Sequence, residues 1–481
     1  MGDVAREPAH PAMPFWKENR VTPNADTQTW IAKLRTDVTG RVVAPHDPDY
    51  DETRRMFLGD IDERPAVIVR VADALDVARV IAAARETGLE LAVRSGGHSP
   101  AGHSTTTGGI VLDLRDLDAM EIDAAAHTAW AGSGLTAGAY TRTAGAQGLV
   151  TGFGDTASVG IGGITLGGGI GFLVRAHGMT IDSLLGAELV TADGEIRTVD
   201  ADHEPDLFWA IRGGGGNFGV ATRFRFVLHP LPEVVGGLLF LPATPETVER
   251  FLEEAQSAPD EVSTIANVMP APPMPFLPEE RHGELVIMAF VVHAGGGEPG
   301  ERAVAPFRTI AEPLADMIGP KPYPEIYMPE DPDYHPIAVS RTSLIDTVDR
   351  ATIETILDRL DASRPRMRVA QIRALGGAMA RVPNDATAFA HRDRPFMLTI
   401  ASLCERPDER PDQETWVNAQ MADLRKDQPG AAYVGFLADE GEDRIRETYP
   451  PPTWERLVAI KDHYDPTNLF RRNQNVPPGT A

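Results

Sequence analysis

The sequence predicts an α+β protein in two parts: a glycine-rich first part with short strands and helices, and a second part with an antiparallel sheet covered by helices. Three observations lead to this prediction. A β-α-β unit occupies residues 66–94, a strand with alternating apolar residues occupies 220–228, and from about residue 236 helical stretches alternate with long strands. Long strands interleaved with helices are typical of one antiparallel sheet with helices on one face.

Short elements separated by glycines make up the first part. Ala66-Val-Ile-Val-Arg70 has the β-branched composition of a strand, and Gly88 closes an alanine-rich helix at 73–87. Asp193-Gly194 supplies the positive φ angles that a tight hairpin turn needs. The other elements predicted here are strands at 89–94, 110–114 and 120–131, a helix at 136–147, a hairpin at 187–199, a helix at 205–212 and a strand at 220–228.

Longer elements are predicted in the second part. They are helices at about 244–257, 299–317, 346–361 and 412–427, and strands at 284–293, 367–380, 396–403 and 431–437. Beyond residue 440 we expect one or two helices. The change of pattern after His229-Pro-Leu-Pro232 predicts a domain boundary, with one domain at 1–235 (core 60–232) and a second at 236–438.

The composition argues against several classes of partner. A formal net charge of −25 disfavours binding to nucleic acid and to anionic membrane surfaces. Cys404, the single cysteine, leaves no internal disulfide and no Cys-based zinc cluster, and no metal site is predicted. Residues 1–20 lack the apolar core of a signal peptide, so neither secretion nor membrane insertion is expected. We therefore expect a cytoplasmic protein, with its oligomeric state left open.

Two glycine-dense segments suit the binding of a ligand phosphate. Arg94-Ser-Gly-Gly-His98-Ser follows a predicted strand as a tight turn, and seven glycines fall within residues 160–171. Backbone N–H groups bind pyrophosphate at close range, where a side chain would keep the phosphate away. The alternative use of such glycines is in tight turns and close strand packing. Two runs from different loops favour a large cofactor.

A third run, Gly214-Gly-Gly-Asn-Phe-Gly219, has the G-x-G-x-x-G spacing of Rossmann dinucleotide-binding folds. That fingerprint requires a strand before the run and a helix after it. Here the predicted helix at 205–212 precedes the run and the predicted strand at 220–228 follows it. The order is reversed, so the spacing is a chance match and a Rossmann fold is disfavoured.

Several segments, occurring in order, resemble the berberine bridge enzyme-like oxidases of the vanillyl-alcohol oxidase superfamily. The similarity is strong over about 65–230 and clear over 430–476. The motifs that carry it are Arg94-Ser-Gly-Gly-His98-Ser, Val159-Gly-Ile-Gly-Gly163, Gly167-Gly-Gly-Ile-Gly171, the stretch 206–219, Tyr464-Asp-Pro-Thr-Asn-Leu-Phe470 and Asn473-Gln-Asn475. The resemblance implies a two-subdomain PCMH-type FAD-binding module, to which a C-terminal segment at 439–481 returns, and a substrate domain that covers the flavin ring.

FAD is therefore the expected cofactor, and in the family the histidine of the Ser-Gly-Gly-His turn is bonded to it. A neutral imidazole can attack the electrophilic carbon that forms when the flavin 8α-methyl group loses a proton. We expect this link at His98, whose alternative role is that of a polar turn residue. His103 is a near neighbour in a less fitting context. Many members form a second link through a cysteine where this chain has Thr156, so one link is expected.

The resemblance assigns a set of residues to the cofactor. They are His98, Arg94, Ser95, Gly96, Gly97, Ser99, Thr156, Ser158, Val159, Gly160, Gly162, Gly163, Gly169, Asn473 and Asn475. Val159 has a second implication, because valine beside the flavin accompanies reaction with dioxygen in relatives, whereas a bulkier leucine accompanies dehydrogenases. A core valine without that role is the alternative.

The activity implied by the resemblance is that of an FAD-dependent oxidase. Such an enzyme takes a hydride from an alcohol or amine carbon of a small organic molecule or natural product and reduces O2 to H2O2. Two alternatives stay open. One is an FAD-dependent dehydrogenase with a non-oxygen acceptor, and the other is a flavin-carrying protein without catalytic activity.

Tyr433 and His391 are the candidate catalytic residues. Related enzymes use tyrosines of the substrate domain, and Tyr433 occupies the matching position. A phenol with an ordinary pKa of about 10 needs a neighbouring cation or a hydrogen-bond network to act as a base. The alternatives are a sheet tyrosine at the core edge and a structural histidine. Ile170 and Phe436 stand where some relatives have tyrosine, which predicts a more apolar pocket than in sugar-oxidising members.

Overall fold

The computed structural model describes residues 25–363 and 367–479, so the N-terminal stretch at 1–20 lies outside the described residues. The helices are Ala25–Asp37, Tyr50–Thr53, Ala74–Thr87, Ala137–Gly145, Ile161–Gly167, Val174–His177, Pro205–Ala210, Pro245–Ser257, Gly297–Val304, Arg350–Asp361, Ala378–Arg381, Arg410–Leu424, Glu442–Thr448 and Pro451–Tyr464. Within the two described ranges, no helix is long and apolar enough to cross a membrane. The strands form three sheets and one short pair, His229–Pro230 with Leu149–Val150.

A four-stranded sheet carries the first glycine turn at its edge. Its order is Arg41–Val43, Val67–Arg70, Ile110–Asp113 and Leu91–Arg94, and the last three strands are parallel. Helix Ala74–Thr87 begins where the Asp73 carboxylate accepts a hydrogen bond from Asp76 N, and it ends at Gly88, whose φ is 69°. The β-α-β unit predicted from the sequence is confirmed, and it brings Ser95 to the end of the edge strand.

A five-stranded antiparallel sheet completes the first part. Its order is Met120–Asp123, Thr128–Gly132, Val220–Val227, Leu184–Val190 and Ile196–Asp200. In the central strand, buried Phe224 and Phe226 alternate with exposed Arg223 and Arg225, as the period-two pattern predicts. Helix Pro451–Tyr464 buries its apolar side in the same core. The end of the chain therefore packs on the first part.

An eight-stranded antiparallel sheet forms the second part. Its path is Ala315–Asp316, Val234–Pro242, Leu285–His293, Val262–Pro270, Met367–Ala374, Phe396–Cys404 and Ile337–Ile345, and Gly319–Lys321 also pairs with Val234–Pro242. Helices Pro245–Ser257, Arg350–Asp361 and Arg410–Leu424 bury apolar residues in the core beside it. The α+β class, with an antiparallel sheet covered by helices, is confirmed. The three domain bounds stay predictions.

The structure corrects the predicted strand at 431–437. Val434–Phe436 is instead a 3-10 turn, and a β-carbon on Gly435 would lie 2.9 Å from the ring and hydroxyl of Tyr433. The glycine lets the chain fold back over the tyrosine ring, which an extended strand does not do. The change matters because it directs the Tyr433 side chain toward the glycine run of the first part.

Two other predicted elements are shorter than expected. The helix predicted at 299–317 ends at Val304 and continues only as the 3-10 turn Ala305–Thr309, because Pro306 cannot donate the helical hydrogen bond. The strand predicted at 367–380 ends at Ala374, before two glycines with positive φ angles. The strands Val234–Pro242, Val262–Pro270 and Ile337–Ile345 were not predicted.

Candidate active site

A cavity of about 560 Å³ lies between the glycine runs of the first part and the last three strands of the eight-stranded sheet, Met367–Ala374, Phe396–Cys404 and Ile337–Ile345. Most of the predicted site residues line it. They are Ser95, Gly96, Gly97, His98, Ser99, Thr156, Val159, Gly160, Gly162, Gly163, Tyr433 and Asn473. In the part of the chain that the structure describes, no cluster of three or more His, Cys, Asp or Glu side chains is arranged to hold a metal ion. The cavity is the candidate active site.

The two glycine runs contact each other backbone to backbone. A β-carbon on Gly96 would lie 2.2 Å from Gly160 N, and one on Gly160 would lie 2.1 Å from Gly96 N. Only glycine fits an approach this close. The Ser95 hydroxyl joins the runs further, accepting from Gly162 N at 3.3 Å and donating to Ser133 O at 2.6 Å. Close packing therefore explains part of the glycine content.

Other glycines leave backbone open to the cavity. A β-carbon on Gly163 would meet no atom within 4 Å, and one on Gly216 would meet only Asn473 Nδ2, at 4.0 Å. Both glycines line the cavity. Backbone without side chains can approach an anionic ligand closely. Close packing is thus observed for part of the runs, and the open backbone at Gly163 and Gly216 leaves room for the ligand that the sequence predicts.

His98 lies at the edge of the cavity, where two neighbours hold its ring. Its Nε2 shares a 3.0 Å hydrogen bond with Ser158 Oγ, and its ring stacks on Phe57 with the centroids 4.0 Å apart. Burial lowers the pKa of His98 to about 4, although the carboxylate of Glu330 acts in the opposite direction. The imidazole is therefore neutral near neutral pH, which is the state that can act as a nucleophile.

His103 lines the same cavity without these contacts. Burial, reinforced by Arg472, lowers the pKa of His103 to about 4 as well. Its backbone N donates to Ser99 Oγ at 3.3 Å. Within residues 25–363 and 367–479, its imidazole has neither a ring stack nor a hydrogen bond. Of these two described histidines, His98 alone has an oriented ring.

A polar row on the sheet wall is the feature that the sequence did not reveal. The row consists of Thr342, Thr399, Gln371 and Arg373, which line the cavity from three neighbouring strands. Thr342 Oγ1 and Thr399 Oγ1 lie 2.8 Å apart, and Arg373 Nε donates to Gln371 Oε1 at 2.9 Å. Arg373 Nη2 also donates to the carboxylate of Asp155, at 2.5 Å. Cross-strand neighbours meet only once the sheet forms, so no local motif indicated this row.

The polar row changes the expected character of the pocket. Ile170 and Phe436 do line the cavity, as the resemblance implied. However, the Arg373 guanidinium lies 5.4 Å from the centre of the Phe436 ring, and its Nη1 is buried without a hydrogen-bond partner among the described residues. The cavity therefore combines apolar rings with strong hydrogen-bond donors.

Tyr433 lines the cavity with its side chain almost fully buried, at 2% exposure. Its hydroxyl accepts a hydrogen bond from Gly169 N at 2.9 Å, so Gly169 supports the tyrosine. Burial raises the pKa of Tyr433 to about 12, with the Gly169 N–H and Arg373 opposing the rise only in part. The phenol stays protonated near neutral pH and can donate a hydrogen bond, which favours an orienting role over that of a base.

Arg94 and His391 lie outside the cavity lining, contrary to their predicted roles. Arg94 Nη2 donates to Asp113 Oδ2 at 2.6 Å and to Thr53 O at 2.8 Å, and this ion pair is buried. His391 Nε2 is hydrogen-bonded to Glu447 O at 2.9 Å. Arg94 Nε stays buried without a hydrogen-bond partner among the described residues, but neither side chain lines the cavity, so neither is retained as a contact with cofactor or substrate.

The C-terminal segment supplies unpaired acceptors next to the cavity. The Oδ1 atoms of Asn473 and Asn475 are buried without hydrogen-bond partners among the described residues. A buried acceptor without a partner is costly, so such atoms point to a ligand. FAD carries hydroxyl and ring N–H donors and an anionic pyrophosphate, and the open backbone at Gly163 and Gly216 suits the latter. The residues present therefore fit FAD.

Comparison with known proteins decides the family. Residues 65–200 match the FAD binding domain, and residues 432–477 match the domain described as berberine and berberine like. The (R)-6-hydroxynicotine oxidase of Paenarthrobacter nicotinovorans is 30% identical over 478 residues, covering 93% of this chain and 99% of the relative. The chain belongs to the berberine bridge enzyme-like family of FAD-linked oxidoreductases.

Two further comparisons agree with this assignment. Berberine bridge enzyme-like 9 of Arabidopsis thaliana is 27% identical, covering 88% of this chain and 86% of the relative. The crystal structure of 6-hydroxy-D-nicotine oxidase from Arthrobacter nicotinovorans superposes with a TM-score of 0.83 at 28% identity, covering 91% of this chain and 98% of that one. This berberine bridge enzyme-like protein is thus an oxidoreductase that binds FAD, and the expected PCMH-type fold is confirmed.

Proposed function

We propose that this berberine bridge enzyme-like protein oxidises an alcohol or amine carbon of a small organic molecule and passes the electrons to dioxygen. Bound FAD would supply the acceptor for the substrate hydride and the two electrons that reduce dioxygen to hydrogen peroxide. The observation that carries the proposal is a single cavity shared by the glycine runs, His98, Val159, Tyr433 and the polar row. The name of one relative, (R)-6-hydroxynicotine oxidase, supports the amine class.

The chain's residues divide between holding the cofactor and orienting the substrate. Backbone at Gly163 and Gly216 and the free Oδ1 atoms of Asn473 and Asn475 hold FAD in the proposed complex. His98 supplies one covalent bond to it, and Thr156 has no thiol for a second. Substrate hydrogen bonds then come from Tyr433 and the polar row.

The half-reactions test the proposed activity directly. Candidate alcohols and amines are mixed with the enzyme without air, and loss of the flavin absorbance identifies a substrate. Admitting air is expected to restore the absorbance with one hydrogen peroxide formed per flavin. If only an artificial acceptor restores it, the enzyme is a dehydrogenase and the oxidase proposal fails.

Tyr433→Phe is expected to lower kcat about 100-fold, because it removes the buried donor that orients the reacting heteroatom. Wild-type kcat should show no ionisation of Tyr433 between about pH 6 and 9, since the pKa of the phenol is raised to about 12. Steady-state kinetics across this range measure both effects. Tyr449→Phe is the matched control, since its buried hydroxyl donates to Gly213 O outside the cavity lining. An unchanged kcat in Tyr433→Phe contradicts the orienting role.

Val159→Leu is expected to slow reoxidation by dioxygen about tenfold, equivalent to about 1.4 kcal/mol of barrier. The larger side chain fills space on the cavity wall that the gas would use, because packed interiors leave few spare voids. Anaerobic reduction by substrate should change little. Stopped-flow traces separate the two half-reactions, and an equal slowing of both would show a general disturbance of the site.

A further inference from the structure

A strap of the second part, residues 328–336, contacts the first part on both sides of His98. At one end, Glu330 Oε1 accepts hydrogen bonds from Ala157 N at 2.6 Å and Ser158 N at 3.3 Å. At the other end, Pro336 O accepts from Gly59 N at 3.0 Å. His335 Nδ1 and Phe57 O lie 3.3 Å apart in a further hydrogen bond. The strap thus joins two segments that are distant in the sequence.

Both contact points lead directly to the His98 ring. Glu330 accepts a hydrogen bond from the Ser158 backbone, and the Ser158 hydroxyl lies 3.0 Å from His98 Nε2. Phe57, whose carbonyl meets His335, stacks on the imidazole with the centroids 4.0 Å apart. The ring is therefore clamped between two neighbours whose backbones the strap fixes. The fixed geometry matters for a nucleophile, because small misplacements slow bond formation strongly.

The negative charge of Glu330 on the strap also favours bond formation by the His98 ring. Burial lowers the pKa of His98, and the Glu330 carboxylate opposes that effect. A negative charge near the ring favours positive charge on the imidazole, and positive charge develops as a ring nitrogen forms a bond to carbon. The carboxylate lies at the exposed rim, so solvent weakens this contribution, and the two hydrogen bonds to the 157–158 backbone are the stronger element.

We propose that Glu330 is a positioning residue for the covalent attachment of FAD to His98, acting through the backbone of Ala157 and Ser158. The proposal rests on the His98 link proposed above. In that step a C–H bond of the 8α-methyl group and the N–H bond of the imidazole break, and one N–C bond forms. Two electrons and two protons pass to the flavin and then to dioxygen, which leaves as hydrogen peroxide. Dioxygen is the acceptor that the proposed activity already uses.

The test compares Glu330→Ala with Glu330→Gln in the full chain, prepared from riboflavin-starved cells and then mixed with FAD in air. Samples are unfolded in acid at intervals, and the flavin retained in the pellet measures attachment. Glutamine keeps an oxygen acceptor for the two N–H groups, so its attachment rate should stay within about threefold of wild type, whereas alanine should lower the rate about tenfold or more. Glu279→Ala, which changes an exposed glutamate outside the strap and the cavity lining, is the matched control.

Two measurements keep the outcomes apart. Non-covalent FAD affinity and the thermal midpoint should be equal in all variants, because Glu330 is exposed and touches only backbone. If Glu330→Ala attaches flavin as fast as wild type, the strap has no positioning role. If the wild-type pellet itself is colourless, the His98 link is overturned, and so is the proposed role of Glu330, which rests on that link. If Glu330→Ala is unstable, Glu330→Asp tests the same contact, because the shorter side chain draws the carboxylate away from the 157–158 backbone, and it should slow attachment while retaining FAD.

Discussion

In His98→Ala, the flavin is expected to appear in the supernatant after acid precipitation, whereas the wild-type pellet stays yellow. The structure gives His98 the features that an attacking imidazole needs. Its ring is oriented by Ser158 and Phe57, and burial lowers its pKa to about 4, so the neutral form dominates near neutral pH. Since the nucleophile is neutral throughout, attachment should not depend on the ionisation of His98 between about pH 6 and 8.

His103→Ala is the control for this experiment. His103 lines the same cavity and burial lowers its pKa to about 4, but no stacking ring or hydrogen bond orients it among the described residues. Its pellet should remain yellow. A yellow pellet from His98→Ala, together with a colourless one from His103→Ala, would move the link to His103. His98→Ala should still bind FAD, because the glycine runs and the C-terminal asparagines are unchanged.

Local motifs account for what the sequence could predict about this site. The Ser95-Gly-Gly-His98 turn is specified within a few residues, because Gly97 has a φ of 75°, which glycine adopts without strain. The β-α-β unit is also specified locally, because the residues that cap its helix, Asp73 and Gly88, belong to the same segment. A turn or a helix end that depends only on nearby residues can therefore be predicted from the sequence.

Contacts between distant segments escaped prediction. Glu330 meets Ala157 across 173 positions, and Arg373 meets Asp155 across 218. Neither pair belongs to a local pattern, because each forms only when the eight-stranded sheet docks on the first part. The predicted strand at 431–437 was wrong for a related reason. The Tyr433 hydroxyl bonds to Gly169 N, a tertiary contact that outweighs the strand propensity of the segment.

Lys461→Met is expected to lower the free energy of unfolding by about 3–5 kcal/mol, because it leaves a buried charge without its partner. Lys461 and Asp465 are both fully buried, with Nζ 2.6 Å from Asp465 Oδ2. The ammonium also donates to Asn217 O at 2.8 Å and to Phe470 O at 3.0 Å. It therefore ties the third glycine run to the C-terminal segment, and non-covalent FAD affinity should fall with stability.

The double variant Lys461→Met, Asp465→Asn separates the charge from the packing. Asp465 also accepts hydrogen bonds from Leu469 N and Phe470 N, both at 2.8 Å, and an asparagine oxygen can keep one of them. Removing both charges should recover part of the loss, since the unpaired carboxylate is the costly group. Denaturant unfolding measures each variant, with Lys33→Met, from an exposed pair with Asp37, as a control that should unfold like wild type. A double variant less stable than Lys461→Met would show that the hydrogen bonds of Asp465, and not its charge, dominate this junction.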